Sequence, residues 1–181
     1  MPAADPPHVA LRAWTDGDLP LLRGLLGDPA MMTYLGGPES EEKLLARHQR
    51  YLDVDASGTG RVFVITFGAE QIPAGWVGYW ESPFHGEPAW ETGWSVLPEF
   101  QGRGIASAGA ALALQVAAGE RRHRFMYAFP AVDNAPSNGV CARLGFERLG
   151  SESAEYPPGS DLWMDCAIWR YKLFPEPGIV G

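Results

Sequence analysis

The sequence predicts an α+β domain with strands on either side of a central loop–helix unit. Three observations carry that expectation. First, β-rich runs at 61–67, 74–80, 90–96 and 124–129 are separated by glycine and proline, the punctuation of strands joined by turns. Second, the 90–96 run leads through Gln101-Gly102-Arg103-Gly104-Ile105-Ala106 into an alanine-rich stretch that ends near residue 118. Third, 181 residues with 46% apolar and 20% charged content are enough to enclose one sizeable core. No internal repeat or linker divides the chain, so one domain over 1–181 is expected.

Taken in order, residues 1–7 read as a loose leader and 8–14 alternate as a first strand. Thr15 or Asp16 then N-caps a helix carrying Leu19, Leu22, Leu25 and Leu26, with Asp18 near its positive end. Pro29 interrupts, and Gly36-Gly37-Pro38 closes a short segment at 31–35. Ser40, followed by Glu41 and Glu42, starts a second helix through Tyr51 and Leu52. The acidic stretch 39–42 either caps a solvated helix or faces a basic substrate. The runs 61–67 and 74–80 read as antiparallel strands, and 90–96 as the next. Ala106, Ala108, Gly109, Ala110 and Ala111 suit the following helix to close packing on a sheet. A strand at 124–129, a helix at 136–144, a strand after Gly145-Phe146, a loop over 155–161 and a last strand at 162–173 complete the order.

Composition removes several function classes. A net charge of −8 with no basic patch argues against a nucleic-acid partner. No apolar run is long enough to span a bilayer, and 1–7 is too short and polar for a signal peptide, so a cytoplasmic protein with no membrane partner is expected. Cys141 and Cys166 are too few for a disulfide framework and read as reduced, buried thiols. His8, His48, His85 and His123 have no metal-ligand spacing, so no metal is expected. Seven tryptophans invite a substrate cage around Trp76, Trp80, Trp90 and Trp94, with core packing the plainer alternative.

The loop at 101–106 carries the most chemistry. A strand, a glycine-rich turn and a helix N-terminus in that order make an anion site, because first-turn N–H groups lack partners and the helix dipole adds positive charge. A Walker A loop would need Lys-Ser/Thr after its last glycine, where Ile105-Ala106 stand. A dinucleotide fingerprint would need Gly or Ala at Ser107 and a place in the first βα turn. Both readings fail, and Gln-x-x-Gly-x-Ala remains.

That motif resembles the acyl-CoA pyrophosphate loop of the GNAT N-acetyltransferases. The resemblance extends through Trp90-Glu91-Thr92-Gly93-Trp94-Ser95-Val96-Leu97-Pro98, resumes at Asn134-Ala135-Pro136-Ser137 and closes at Arg143-Leu144-Gly145-Phe146. Its wording is most similar to the RimJ/RimL-type branch, which acetylates the N-termini of ribosomal proteins. It implies a three-layer fold with a mixed, mostly antiparallel sheet flanked by helices, whose strands at 90–96 and 124–129 splay around the acyl-CoA site. It further implies acetyl-CoA as cosubstrate and a monomer or homodimer.

The site residues follow from the resemblance, position by position. The amides of Gln101, Gly102, Arg103, Gly104, Ile105 and Ala106 would hold the CoA pyrophosphate, with Arg103 adding charge. A backbone N–H at Val96 or Leu97 would polarise the thioester carbonyl, and the Asn134 amide would bind pantetheine unless it serves only as a helix cap. Most of an α-amine is protonated at neutral pH, so a carboxylate must take its surplus proton. Glu91 matches the usual position of that base, with Asp165 the second candidate. The tyrosine that protonates the leaving thiolate in many relatives falls at Cys141 here and is absent. Ser137 on the same helix takes the role instead, or bonds only backbone or CoA. Three functions compete: transfer to a peptide N-terminal amine, transfer to a small polyamine or aminoglycoside, and a non-catalytic acyl-CoA-binding module.

Overall fold

The computed structural model describes residues 8–155 and 161–175. The leader at 1–7 and Pro157-Pro158-Gly159 lie outside the described residues. The elements follow the expected order: β1 (Val9–Ala13), α1 (Leu19–Leu26), α2 (Glu41–Ala56), β2 (Gly60–Phe67), β3 (Ile72–Glu81), β4 (Trp90–Val96), α3 (Ile105–Glu120), β5 (Phe125–Ala128), α4 (Ala135–Leu144), β6 (Glu147–Glu155) and β7 (Trp163–Lys172). One element differs from the sequence reading. Thr15 caps a short 3-10 turn at Asp16–Asp18, and α1 begins only after it, with Asp18 buried at its N-cap.

The seven strands form one sheet in the order β1-β2-β3-β4-β5-β7-β6. Every pairing is antiparallel except β4 with β5. In β3 the alternation of burial is lost, and positions 74–79 are all buried, because helices cover both sheet faces there. On one face Ile65, Val77, Tyr79, Trp90 and Val96 pack against Ile105, Ala110, Ala113 and Leu114 of α3 and Val140 of α4. On the other, Val62, Val64 and Trp76 pack against Leu22, Leu25, Leu44 and Tyr51 of α1 and α2. The small residues of α3 are a packing requirement: a Cβ at Gly109 would stand 2.6 Å from Ile65 Cδ1.

What positions the site is a break in the sheet. β4 and β5 pair only at Trp90↔Met126 and Glu91↔Tyr127, then part. The Leu97 N–H donates to the Ala74 carbonyl at 2.8 Å. In an antiparallel ladder this makes Val96 and Gly75 a non-hydrogen-bonded pair, so the main-chain groups of Val96 point away from β3. By alternation Thr92 and Trp94 do the same. Thr92 still meets Tyr127 of β5 through its N–H, so the main-chain groups of Trp94 and the N–H of Val96 are the ones that look toward β5 with no strand opposite.

Candidate active site

Below the open edge the chain turns through a 3-10 turn at Pro98–Phe100 into the glycine loop. Gly102 and Gly104 have φ of +73° and +75°, values that a side chain would strain. The Gln101 N–H is spent on the Pro98 carbonyl at 3.2 Å. Its side-chain amide donates to the Val96 carbonyl at 3.0 Å and reaches Met31 Sδ at 3.3 Å. Gln101 thus ties the loop to the end of β4 and to the segment after α1. The amides free to meet an anion are those from Gly102 to Ala106, before the Ala108 N–H starts the helical ladder on Gly104 at 3.0 Å. Residues 101–104 are exposed. The Arg103 guanidinium lies 5.9 and 5.8 Å from the Phe67 and Phe100 ring centres, beside the helix start.

Across the gap, Asn134 caps α4 by accepting the Ser137 N–H at 3.2 Å. Capping occupies its carbonyl oxygen, so its amide nitrogen can still serve a ligand. Ser137 is half-buried in the first turn of α4. Sequence reasoning missed Asn138, whose amide donates to the Ala131 and Asn134 carbonyls at 2.9 and 2.8 Å and whose oxygen accepts the Trp169 indole N–H at 2.8 Å. It fixes α4 to β7 and hence sets where Ser137 stands. Cys141, at the tyrosine position, is fully buried, and burial pushes its thiol up to about 12.

Glu91 is half-buried on the sheet face covered by α1 and α2, at the last position where β4 touches β5. Burial raises its carboxyl above the ordinary value, and hydrogen bonds from Ser82 and Trp80 pull partly the other way. Asp165 stands elsewhere. It alternates with Ala167 and Trp169, which face α3 and α4, so it lies on the opposite face from Glu91. It is exposed and takes a hydrogen bond from the Ser153 hydroxyl on β6. The structure brings Glu91 to the mouth of the gap and leaves Asp165 on the far side.

A groove of about 270 Å³ lies between the segment after α1 and the start of β7. Tyr34 and Leu35 line one side, Leu162, Trp163 and Met164 the other, with Asp133 from the loop before α4. Within the acidic stretch 39–42, two of the three carboxylates are paired and Glu42 is exposed. Glu39 is paired with Arg47 and Glu41 with Arg23, while Ser40 caps the helix. Most of the tryptophans are core, Trp14, Trp76, Trp90 and Trp169 being buried. Among the described residues no cluster of three metal-ligating side chains occurs, and no helix is long and apolar enough to cross a membrane.

An amide-lined anion cradle opening a helix, below a sheet edge parted after two pairings, is an arrangement that suits an acyl-CoA donor. The sequence matches the acetyltransferase (GNAT) domain over residues 8–147, and the chain belongs to that family. It is an acetyl-CoA-dependent N-acetyltransferase. Similar solved structures include the RimL ribosomal L7/L12 α-N-protein acetyltransferase in complex with coenzyme A, at 23% identity and a TM-score of 0.74, covering 91% of this chain and 93% of that one. Spermidine N-acetyltransferase from Vibrio cholerae, in complex with CoA and spermine, superposes at 22% identity and a TM-score of 0.74, covering 91% and 95%. The ribosomal-protein-alanine N-acetyltransferase from Brucella melitensis gives 25% identity and a TM-score of 0.72 over 90% and 99%.

The residues present fit acetyl-CoA. The free amides at 102–106 suit a pyrophosphate, and the open edge at Trp94 and the Val96 N–H suits an amide-bearing chain lying as an extra strand.

Proposed function

We propose that this enzyme transfers an acetyl group directly to the primary amine of a polypeptide N-terminus. The observation that carries the reading is Glu91, a half-buried carboxylate of raised pKa at the point where β4 and β5 part. When bound, acetyl-CoA supplies an acyl group activated as a thioester. The amides of Gly102, Arg103, Gly104, Ile105 and Ala106 hold its pyrophosphate, the Asn134 amide and the β4 edge hold pantetheine, and Gln101 braces the loop. The Val96 N–H, on the open edge, donates to the thioester carbonyl oxygen as negative charge grows there. Leu97 cannot share that task, because its N–H is committed to Ala74.

An α-amine of pKa about 8 arrives mostly as ammonium. Glu91 accepts its proton, directly or through one water, and a carboxylate whose pKa is raised by burial takes that proton more readily than an ordinary one. The new C–N bond forms as the C–S bond breaks, the Ser137 hydroxyl protonates the departing sulfur, and the second proton lost by the nitrogen returns through water to the serine oxygen. Asp165, on the opposite face and bonded to Ser153, has no part in this scheme.

A peptide amine suits the acceptor groove better than a polyamine. Several ammonium charges would call for several carboxylates, whereas among the described residues the groove is lined mainly by aromatic and aliphatic side chains, with Asp133 as its carboxylate. The test is a screen of acceptors by release of the CoA thiol. Short peptides with free N-termini are expected to support turnover, and their N-acetylated forms are not. Thiol release with spermidine or an aminoglycoside, and with no peptide, would overturn the reading.

A further inference from the structure

Exposed apolar surface is concentrated at one place on this protein. Among the described residues eight large apolar side chains are exposed, and three of them, Tyr34, Leu162 and Trp163, line the groove between the segment after α1 and the start of β7. A fourth, Val132, sits between two lining residues, Ala131 and Asp133. Scattered singly such side chains need no explanation, but gathered on one concave surface they mark a place for a ligand. Both walls are held. Met32 is buried in the core shared with α1 and α2, and its carbonyl accepts the Leu35 and Gly37 N–H groups at 3.0 and 3.1 Å. Opposite, the Val132 N–H donates to the Asp165 carbonyl at 2.9 Å, and the Asn134 N–H to the Ala131 carbonyl at 3.0 Å. At the outer end the walls close on each other, since a Cβ on Gly36 would stand 3.5 Å from Leu162 Cδ1. At the inner end they start from the donor site, one wall at Met31 beside the Gln101 amide and the other at Asn134, the cap of α4.

From this placement we infer that the groove reads the first two residues of the acceptor polypeptide and selects a large apolar side chain there, with Trp163 as its main specificity-determining residue. The inference rests on a polypeptide N-terminus as the acceptor. The groove leads away from the donor site, so a chain whose amine has reached the thioester lays its first residues along it. A backbone advances roughly 3.3–3.6 Å per residue. The groove's volume of about 270 Å³ lies below the ~300–1,000 Å³ of pockets that enclose a drug-sized molecule. That is room for one large side chain and the main chain that carries it. Trp163 is 71% exposed, and covering its indole is the largest apolar gain the groove offers. Met164 beside it is unbranched and adapts to side chains of different shape. The polar groups decide what is refused. The Thr33 hydroxyl is spent on the Ala30 carbonyl at 3.0 Å. Among the described residues no lysine or arginine lines the groove, and Asp133 is its carboxylate. An acidic residue in either position would therefore meet a like charge and no partner.

The experiment measures kcat/KM by thiol release for short peptides that differ only at their start: Ser-Ser, Phe-Ser, Ser-Phe and Ser-Glu. At least one phenylalanine peptide is expected to exceed Ser-Ser by about 10-fold or more, from burial of its ring, and Ser-Glu to fall below it. Trp163→Ala should bring the phenylalanine preference down to a few-fold, with the KM for acetyl-CoA unchanged. Ile72→Ala removes an exposed apolar side chain at the start of β3, outside the groove, and should keep the full preference. Equal rates on all four peptides, or a preference that Trp163→Ala leaves intact, overturn the groove inference and leave the polypeptide acceptor standing. Turnover of spermidine with none of the peptides overturns both. A sedimentation coefficient that falls in Trp163→Ala while the preference stays fixed assigns the patch to a second copy of the chain, and this too overturns the inference.

Discussion

Asp18 and Glu91 are both carboxylates shielded by the fold, and their surroundings send them in opposite directions. Asp18 is 4% exposed, and burial pushes its pKa up. The Arg12 fork overrides this with bonds of 2.8 and 2.7 Å, and Thr15 adds its N–H and hydroxyl at 2.8 Å each. Its carboxyl ends below the ordinary value. Glu91 has two neutral donors and no arginine, and burial prevails. The first is arranged never to take a proton, the second to remain able to take one. A cation in the shell separates a structural carboxylate from a reactive one.

The sharpest way to test that contrast is Glu91→Gln. Turnover should fall about 100-fold or more, the range a positioned base supplies, with the KM for acetyl-CoA unchanged in steady-state assays. Stability should not fall with it. A carboxyl whose folded pKa lies above its unfolded one opposes folding increasingly as pH rises past the unfolded value of about 4.3. Thermal melts at pH 7 should therefore find the variant at least as stable as the wild type. A clear loss of stability there would make Glu91 a second Asp18.

Asp18→Asn should behave in reverse, keeping specific activity and losing about 2 kcal/mol by urea unfolding. That is less than for a fully buried pair, because Arg12 is partly solvated. Its folded pKa is depressed, so the lost stability is present above the unfolded value of about 3.9 and disappears as pH falls through the lower folded one. Wild type and variant should converge in acid.

Two smaller effects concern the donor side. Gly104→Ala must adopt φ near +75°, at a cost of about 1 kcal/mol. It should raise the KM for acetyl-CoA roughly tenfold through disturbed amides, with kcat little changed. Ser137→Ala should lower kcat only a few-fold, since a thiolate of moderate pKa can draw a proton from water. A kcat loss as deep as that of Glu91→Gln would mark the serine as an indispensable acid.

The chain order of strands and helices was legible because each element carries its own punctuation. Ser40 before two glutamates, Gly104 before Ile105 and Asn134 before Ala135 mark starts that the structure keeps within a residue. The anion loop was legible for the same reason, being local. What was not legible depends on pairing between distant segments. β7 inserts between β5 and β6, and only that insertion decides that Asp165 faces α4 while Glu91 faces α2. The Trp80–Glu91 pairing is a matter of register, which alternation along either strand alone leaves undetermined. The start of α1 is not legible because the sequence offers Asp18 as a dipole partner, whereas its bonds to Arg12 and Thr15 hold a tighter turn ahead of the helix.

The parting of β4 from β5 also bears on how the protein avoids its own kind. A row of unsatisfied strand groups ordinarily invites a neighbouring chain to add itself, the first step toward aggregates. Here the row is internal to the sheet, with β5 and β7 beyond it rather than open solvent. A thin, amide-bearing chain can enter lengthwise, whereas a whole sheet edge is too broad. The vacancy discriminates by girth, and it leaves the fold free to keep an adhesive surface without becoming sticky.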